Sequence, residues 1–323
     1  MVRVAMLSRW HVHADQYAKQ IQENPDARIA AVWDNDAARG AAWAGELGCP
    51  FYESYEELLK APDIDAVAVV SSTNLHPELL IAAARAGKHI YTEKVLAFTA
   101  ADAMKIRDAV RESGVHFTIS FPHKTWGNIL LAKKMVENGD IGEITYMRVR
   151  NVHGGSICGW LPAYFYDKAL CGGGAMMDLG AHPMYLLEWF LGKPEKMASA
   201  FTQVTGRGVE DNAVSVMTFK NGAIGVSETG FVSLCDPFTL ELSGTQGYIH
   251  VQDAFRYRNK ASEEKWVTVS ELPEKGVMPM DYWISSIVSH TENTLYGIDE
   301  AVALSEFMEA AYRSHESGQT IRL

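Results

Sequence analysis

The sequence predicts an α/β protein in two parts: a doubly wound parallel sheet, followed by an α+β domain with a large, mostly antiparallel, open-faced sheet. Up to about residue 120, short β-branched runs alternate with segments whose apolar residues recur every three to four positions, which is typical of βα units. After residue 200, strand-like runs are separated by glycine turns such as Asn221-Gly222, which favour antiparallel hairpins. The 323 residues suffice for two domains, and 47% hydrophobic residues suffice to bury a core.

The first part of the chain alternates candidate strands with candidate helices. The strands are apolar enough to be covered by helices on both faces. They occupy residues 2–7, 29–33, 66–70, 89–92 and 116–119. The helices lie between them at residues 13–23, 37–47, 55–59, 77–86 and 100–112. Because Gly48, Gly87 and Gly114 follow three of these helices as C-cap signals, the segments predict a Rossmann-type domain over residues 1–122.

The second part, residues 123–323, has a different pattern. Strands are predicted over residues 212–219 and 223–232. Helices are predicted over residues 128–138, 181–190, 281–296 and 299–317. No repeat and no Pro/Ser-rich linker marks the junction, so only the change of pattern places the domain boundary near residue 122.

Charge and cysteine content exclude several classes of protein. With 40 acidic against 29 basic residues the formal charge is −11, which repels polyanions, so no nucleic-acid partner is expected. The cysteines are scattered without a C-x-x-C pair, so neither a metal site nor a disulfide framework is expected: Cys49, Cys158, Cys171 and Cys235. Apolar stretches such as residues 66–70 are too short to cross a bilayer, and a cytoplasmic location fits best.

Asp34 is a candidate cofactor residue because of its position. It ends the second predicted strand, about twenty residues beyond the first strand-to-helix turn, where a carboxylate accepts the adenosine ribose hydroxyls of a dinucleotide. Such a carboxylate favours NAD over NADP because it repels a 2′-phosphate. Taken alone, Asp34 would be a solvated residue starting the next helix; the surrounding βαβ pattern favours the cofactor interpretation.

The first strand-to-helix turn lacks the expected glycines. The turn reads S-R-W-H-V-H over residues 8–13, and the first glycine of the chain is Gly40. Glycines there normally allow the backbone to approach a diphosphate, so another kind of loop is required. The following helix still offers N–H groups and a positive dipole end, and Ser8, Trp10 and His11 are the candidate cofactor residues. The alternative, that Trp10 and the histidines only pack the loop, stays open.

Three later segments contain polar residues in a characteristic order. They read SSTNLH at residues 71–76, GKHIYTEKV at 87–95 and GGGAMMDLGAH at 172–182. Together they resemble the glucose-fructose oxidoreductase and inositol dehydrogenase family, Gfo/Idh/MocA, over nearly the whole chain. Members usually read T-P-N-x-x-H, E-K-P and G-G-G-x-x-x-D-x-G-x-H. Here Ser72-Thr73 replaces Thr-Pro and Val95 replaces the proline, and Tyr185 stands where many relatives carry an aspartate.

The resemblance implies a nicotinamide-dependent dehydrogenase of sugars, polyols or related cyclic alcohols, with Lys94, Asp178 and His182 as the catalytic set. A neutral histidine with a pKa near ~6.5 can accept the hydroxyl proton when the hydride leaves, so His182 is the expected base. Lys94 would stabilise charge on the same oxygen. If Asp178 and His182 share a helical turn, the carboxylate would orient the ring or bind a second hydroxyl.

The resemblance also implies cofactor and assembly roles. NAD is the expected cofactor, with NADP less favoured, and further residues are expected to bind it: Ser71, Ser72, Asn74, His76, Glu93 and Lys94. Residues 123–323 would bind substrate and form a homo-oligomer, either a dimer or a tetramer. Two other functions stay open: a hydrolase, lyase or epimerase that uses a tightly held NAD without net redox change, and a regulatory protein without catalysis.

An aromatic segment precedes the glycine run. Aromatic faces suit the apolar faces of sugar rings, and an imidazole can bind a hydroxyl, so His153, Trp160 and Tyr164 are candidate substrate residues. The alternative is an aromatic cluster at a domain or subunit interface. The sequence does not distinguish the two.

Overall fold

The computed structural model describes residues 1–235 and 237–323, and they form two compact units. The first unit is Met1–Ser120 with Val277–Ser305; the second is Phe121–Gly276 with Glu306–Leu323. The sequence predicts a second domain over residues 123–323, whereas residues 277–305 lie in the first unit. Trp283 and Ile284 are buried in the same core cluster as Val4, which explains why residues 277–305 belong to the first unit.

The first unit is built on an all-parallel six-stranded sheet, as the βα pattern predicts. The strands are β1 Val2–Leu7, β2 Ala27–Trp33, β3 Phe51–Tyr52, β4 Ala66–Val69, β5 His89–Thr92 and β6 Phe117–Ile119. The helices are α1 Ala14–Glu23, α2 Ala37–Leu47, α3 Tyr55–Lys60, α4 His76–Arg85 and α5 Ala100–Ser113. The strand order is β3-β2-β1-β4-β5-β6, so the doubly wound prediction is confirmed. The two-residue β3 is too short to leave a periodic pattern in the sequence.

Local chemistry fixes the helix ends in the first unit. Asp36 accepts the amide of Arg39 at the start of α2, and Thr99 accepts the amide of Asp102 at the start of α5. Gly48 and Gly114 end these helices with φ values of 67° and 65°, the left-handed conformation that glycine adopts without strain. These glycines end α2 and α5 at the positions where the sequence predicts that the helices end.

The second unit is built on a nine-stranded, mostly antiparallel sheet. Its helices are α6 Gly127–Glu137, α7 Gly155–Cys158, α8 Lys168–Cys171 and α9 Ala181–Leu191. Its strands are β7 Ile144–Val152, β8 Pro194–Thr202, β9 Asn212–Phe219, β10 Ile224–Gly230, β11 Phe238–Gly244, β12 Gly247–Val251, β13 Phe255–Asn259, β14 Val267–Thr268 and β15 Ile321–Arg322. The order is β14-β13-β12-β11-β7-β10-β9-β8-β15, and β7 pairs with β10 in parallel.

The large sheet has one covered face and one open face. Helix α9 packs on β7 and β10. Burial alternates along β9, and Val216 and Ile224 are 42% and 41% exposed. This alternation is typical of an antiparallel sheet with one solvated face, so the predicted open-faced α+β class is confirmed.

Two helices close the chain: α10 Pro279–Ser289 and α11 Ile298–Ser317. The sequence predicted one helix over 281–296, but α10 ends earlier because His290 adopts a left-handed φ of 54° and caps it. Within the described ranges, no helix is both long enough and apolar enough to span a bilayer.

Three imidazoles lie together at the amino-terminal ends of β5 and β6. The rings of His89 and His116 are 5.0 Å apart, and those of His116 and His290 are 6.3 Å apart. Burial first, and then repulsion from the other two imidazoles, lowers the pKa of His89 to about 4, although Asp65 acts in the opposite direction. The cationic form of His89 is therefore disfavoured in the folded state.

This cluster predicts a loss of stability in mild acid. In the unfolded chain His89 titrates near ~6.5, so as the pH falls the unfolded state takes up the proton first. Stability should be unaffected above that pH and should decline until the folded-state pKa of about 4 is passed. Because the ring is partly exposed, we expect a loss of about 2 kcal/mol. Urea denaturation of the parent and of His89→Gln at neutral and acid pH measures it; equal acid losses in both proteins would contradict the prediction.

Candidate active site

The polar residues predicted to bind a cofactor lie at one edge of the first sheet. Ser8 follows β1, Asp34 follows β2, Ser71 follows β4 and Glu93 follows β5. The amide of His11 donates to the carbonyl of Val70 at 3.1 Å, which connects the first turn to the end of β4. The carboxyl edge of an open parallel sheet is where such folds bind ligands. These residues, which are far apart in the sequence, therefore lie along the same edge of the sheet.

Asp34 is buried and held by five donors. Arg39 donates to both carboxylate oxygens at 2.8 and 2.5 Å, and the amides of Arg9 and Asp36 donate at 2.8 and 2.9 Å. The Ser8 hydroxyl adds a contact of 3.2 Å. Although burial acts to raise it, these hydrogen bonds, above all that from Arg39, hold the pKa of Asp34 below its usual value. Because Arg39 neutralises the carboxylate, the repulsion of a 2′-phosphate is weaker than the sequence implies.

The glycine-free first turn bends at Ser8. Ser8 is fully buried and has a φ of 72°, in the left-handed region that favours glycine. Its amide donates to the carbonyl of Trp33 at 2.7 Å. Trp10 lies in the same turn, with its ring 6.2 Å from that of His11. The turn therefore keeps the backbone bend of a glycine while placing bulky side chains after it.

Glu93 anchors the segment that contains Lys94. Its carboxylate is 2% exposed, and one oxygen accepts the backbone amide of Lys94 at 3.0 Å. The other oxygen lies 2.7 Å from Nδ1 of His13 and accepts the hydroxyl of Tyr17. Burial acts to raise the pKa of Glu93, but the nearby charges of His11, His13 and Lys94 and the hydrogen bond from His13 hold it well below the usual range. The peptide bond after Lys94 is cis.

The polar residues after β4 differ in their contacts: the two serines bond within the segment, whereas His76 bonds to the segment after Lys94. The Ser72 hydroxyl donates to Oδ1 of Asn74 at 2.6 Å, and that of Ser71 donates to the carbonyl of Ser72 at 3.2 Å. His76 is different: it has no exposed surface, and its Nδ1 lies 3.0 Å from the carbonyl oxygen of Val95. His76 therefore positions the segment that follows Lys94, and its predicted contact with the cofactor stays a prediction.

In the second unit, His182 lies in the first turn of α9 with its ring held on two sides. Its Nδ1 is 2.9 Å from the hydroxyl oxygen of Tyr185, which also accepts the backbone amide of His123 at 3.1 Å. The rings of His182 and His123 stack with centroids 4.1 Å apart. Tyr185 is fully buried and stacks on Phe121 at 4.3 Å. Tyr185 therefore orients His182, a role that the sequence motif does not reveal.

Asp178 lies outside the helix that contains His182. Helix α9 begins at Ala181, and Asp178 belongs to the turn before it, where its amide donates to the carbonyl of Gly174 at 3.0 Å. Asp178 and His182 therefore do not share one regular helical turn, which was the condition for a carboxylate that orients the His182 ring from the same helix face. Residues 175–180 form turns between the glycine run and the start of α9.

Glu210 holds the glycine run, and nothing in the sequence pointed to it. Its Oε1 accepts the amides of Gly174 and Met176 at 2.8 and 3.1 Å and the hydroxyl of Tyr312 at 2.5 Å. A Cβ at Gly173 would lie 1.8 Å from the Tyr312 hydroxyl oxygen, and one at Gly174 would lie 2.1 Å from the Glu210 carbonyl oxygen. The glycines therefore serve close packing rather than flexibility.

Removing the Glu210 carboxylate should destabilise the second unit. In Glu210→Ala, two buried amides and the Tyr312 hydroxyl lose their acceptor, which should lower the free energy of unfolding by about 3 kcal/mol. Glu210→Gln keeps an acceptor oxygen and should lose about 1 kcal/mol. Urea denaturation of both variants measures the difference. If the two substitutions were equally destabilising, the carboxylate would not be the acceptor that holds this loop.

The candidate substrate residues lie beside the glycine run. The His153 ring stacks on Phe231 with centroids 5.0 Å apart, and Trp160, 57% exposed, lies 4.6 Å from His153. Tyr164 packs on a buried cluster that includes Phe165 and Ala175. Because Ala175 belongs to the turn that precedes α9, the structure joins the aromatic segment to the loop that positions His182. The role of these side chains in substrate binding stays a prediction.

The fold is that of a two-domain protein with a Rossmann-type parallel sheet and a large open-faced sheet. Residues 11–121 match the family model described as oxidoreductase family, NAD-binding Rossmann fold. Residues 129–250 match the model described as GFO/IDH/MocA C-terminal domain. The chain belongs to the Gfo/Idh/MocA family of oxidoreductases, which confirms the resemblance seen in its motifs.

Several relatives of known name are similar to this chain. The 1,5-anhydro-D-fructose reductase of Ensifer adhaerens is 31% identical over 68% of this chain and 66% of its own length. The myo-inositol 2-dehydrogenase of Thermotoga maritima is 30% identical over 65% of this chain and 63% of its own length. The chain thus spans just under two thirds of each. The crystal structure of aldose-aldose oxidoreductase from Caulobacter crescentus, complexed with glycerol, matches all of both chains with a TM-score of 0.86 at 20% identity, which supports the fold.

Proposed function

We propose that this protein is an NAD-dependent oxidoreductase that transfers a hydride from a secondary ring hydroxyl of a sugar, glycoside or polyol to the nicotinamide. The observation that carries the proposal is the His182 imidazole, buried and oriented by Tyr185, at the end of the family's glycine-rich motif. The names of the relatives support the substrate class, since an anhydrofructose and an inositol are both cyclic polyhydroxy compounds.

The carboxyl edge of the first sheet has the chemistry that a dinucleotide requires. Asp34 and its partner Arg39 would hold the adenosine ribose. Ser8, Trp10 and His11 stand at the turn where the amino terminus of α1 offers N–H groups to a diphosphate. Ser71, Ser72, Asn74, Glu93 and Lys94 line the part of the edge formed by β4 and β5 and would hold the nicotinamide half. Bound NAD supplies the hydride acceptor.

Side chains of this protein would accept the proton of the substrate hydroxyl. For His182 to accept the hydroxyl proton at Nε2, the ring must carry its own proton on Nδ1 and donate it to the Tyr185 oxygen. That oxygen also accepts the His123 amide, and a phenol oxygen has room for both donors. Lys94 would stabilise the negative charge that develops on the substrate oxygen, and Asp178 would bind a neighbouring hydroxyl.

A nicotinamide-linked screen of sugars, inositols and glycosides tests the proposal. We expect substrate-dependent accumulation of NADH, followed by its absorbance, with one compound class preferred. Product formation without added cofactor and without net NADH would instead indicate a redox-neutral reaction with a tightly held NAD. Absence of NAD binding in calorimetry would indicate a regulatory protein. Either result would overturn the proposed hydride transfer.

Cofactor preference should depend on the Asp34–Arg39 pair. Asp34→Ala removes the acceptor of two ribose hydroxyls and should raise the Kd for NAD about tenfold, equivalent to about 1.4 kcal/mol. Arg39→Ala removes the cation beside the carboxylate and should weaken NADP binding more than NAD binding, because the 2′-phosphate then meets an uncompensated negative charge. Calorimetric titration of both variants with both cofactors measures this. Unchanged NAD affinity in Asp34→Ala would contradict the assignment.

We also propose that the open face of the large sheet joins copies of this chain into a homo-oligomer. Val216 and Ile224 are apolar, exposed and on adjacent strands, and apolar residues exposed on a sheet face favour association. Light scattering of the parent and of Val216→Glu tests this, because a charge on that face should shift the protein toward monomer. A monomeric parent would contradict it.

A further inference from the structure

We propose that His11, His13 and Glu93 together bind one divalent transition-metal ion at the first strand-to-helix turn. Each side chain offers one ligand atom, and these atoms all lie within 4.8 Å of one another. Two imidazoles and a carboxylate form a ligand set that Zn²⁺, Mn²⁺, Fe²⁺ and Co²⁺ accept. The scattered cysteines of the sequence predict no metal site. This ligand set is also not visible in the sequence, because Glu93 lies 80 residues from His13 in the chain.

The burial of Glu93 favours a cation at this point. Its carboxylate is 2% exposed, and burying such a group is costly unless it is paired or coordinates a metal. A divalent ion bound here would be such a partner, and the neutral imidazole is the form of the ring that coordinates metal.

The distances suit coordination. Nδ1 of His11 accepts the amide of His13 at 3.2 Å, so this nitrogen carries no proton, and an ion bound to it would replace that hydrogen bond. The Oε1 atom of Glu93 lies 3.8 Å from Nδ1 of His11 and 2.7 Å from Nδ1 of His13. Ligand atoms at the usual bond length of ~2.1 Å from a tetrahedral ion lie roughly 3.4 Å apart, between these two values. The two distances to Glu93 are therefore each within about 1 Å of this value, and the His13 side chain, 38% exposed, has room to move.

The site lies where this chain lacks the usual glycines. Three protein ligands leave a coordination position open, and a phosphate oxygen is a suitable fourth ligand. If the proposed NAD binding holds, an ion here would supply the positive charge that the glycine turn of other dinucleotide-binding proteins supplies through its backbone amides. Only this role depends on the proposed function; metal binding itself does not.

The test uses Co²⁺ as the probe, because its absorption spectrum reports coordination by imidazole and carboxylate. Tag-free protein, stripped with a chelator, is dialysed against micromolar Co²⁺, and bound metal is measured by mass spectrometry and by visible absorbance. We expect one equivalent of Co²⁺ with a visible band. His13→Gln and Glu93→Gln should each weaken binding by about 100-fold or more, because each removes one of three ligands.

Two matched variants keep the test specific. His250→Gln removes a partly exposed histidine from the other sheet, and Tyr17→Phe removes a hydrogen bond to Glu93 but no ligand. Both should bind Co²⁺ as the parent does, within a few-fold. Far less than one equivalent in the folded parent, or equal binding by parent and His13→Gln, would overturn the proposal. So would a loss in Tyr17→Phe as large as that in Glu93→Gln, which would indicate a purely hydrogen-bonded cluster.

These outcomes are separate from those of the proposed oxidoreductase activity. Co²⁺ binding without turnover on any tested sugar would uphold the metal site and count against the activity. Turnover without Co²⁺ binding would do the reverse. The Kd for NAD, measured with and without Co²⁺, then shows whether the ion contributes to cofactor binding.

Discussion

Replacing His182 with alanine is expected to lower kcat by about 1,000-fold while leaving the fold intact. The size follows from its proposed role as general base, since a positioned base contributes about 100- to 10,000-fold. His182 lies at the start of α9, and its loss leaves the Tyr185 hydroxyl beside a small cavity without removing the helix. Steady-state kinetics on the substrate found by screening, with circular dichroism as the folding control, measures the effect.

Tyr185→Phe gives the matched comparison for this experiment. It keeps the aromatic packing on Phe121 but removes the oxygen that is bonded to Nδ1 of His182. We expect a smaller loss in kcat, about tenfold, with a changed pH profile, because the proton on the ring loses its preferred nitrogen. Wild-type turnover in His182→Ala would show that another group accepts the proton.

Replacing Lys94 with alanine is expected to lower kcat by roughly 100- to 1,000-fold with little change in KM. The ammonium is proposed to act on charge that develops in the transition state, and the loss of one such donor costs that much in other enzymes. Arginine should not restore the rate, because a planar guanidinium does not replace a compact ammonium. Partial rescue of Lys94→Ala by added methylamine would identify the missing charge.

Lys88 provides a control within the same sheet. It is also buried, and its ammonium donates to the carbonyls of Ala61 and Ile64 at 3.0 and 2.7 Å. Lys88→Ala should therefore reduce stability and leave kcat unchanged. If Lys88→Ala slowed turnover as much as Lys94→Ala, the effect at Lys94 would reflect general damage to the sheet rather than loss of a reacting group.

The sequence predicts the fold class well because hydrophobic periodicity is a local property. Strand β4 is a continuous apolar run and β1 is apolar apart from Arg3, and the capping glycines stand one residue past α2 and α5. What the sequence does not show is which distant segments pack together. The position of Trp283 in the core of the first unit depends on contacts with strands more than 200 residues away in the chain, and no periodicity records them.

The same limit applies to the site. Lys94 and His182 are found through motifs, because each motif is contiguous in sequence. Glu210 acts on Gly174 from 36 residues away and on Tyr312 from 102, so its role emerges only when the chain is folded. Arg39 lies only five residues from Asp34, so this pair could have been predicted from the sequence, since a buried carboxylate needs a cation nearby.

Through the hydrogen bond between Tyr312 and Glu210, helix α11 supports the glycine run that precedes His182, more than 100 residues away in the chain. Shortening the protein within that helix, or fusing a bulky partner to its end, would disturb more than a terminus. Activity lost in such truncated or fused forms would indicate a loosened glycine run. Affinity tags for this protein are therefore better placed at its amino terminus.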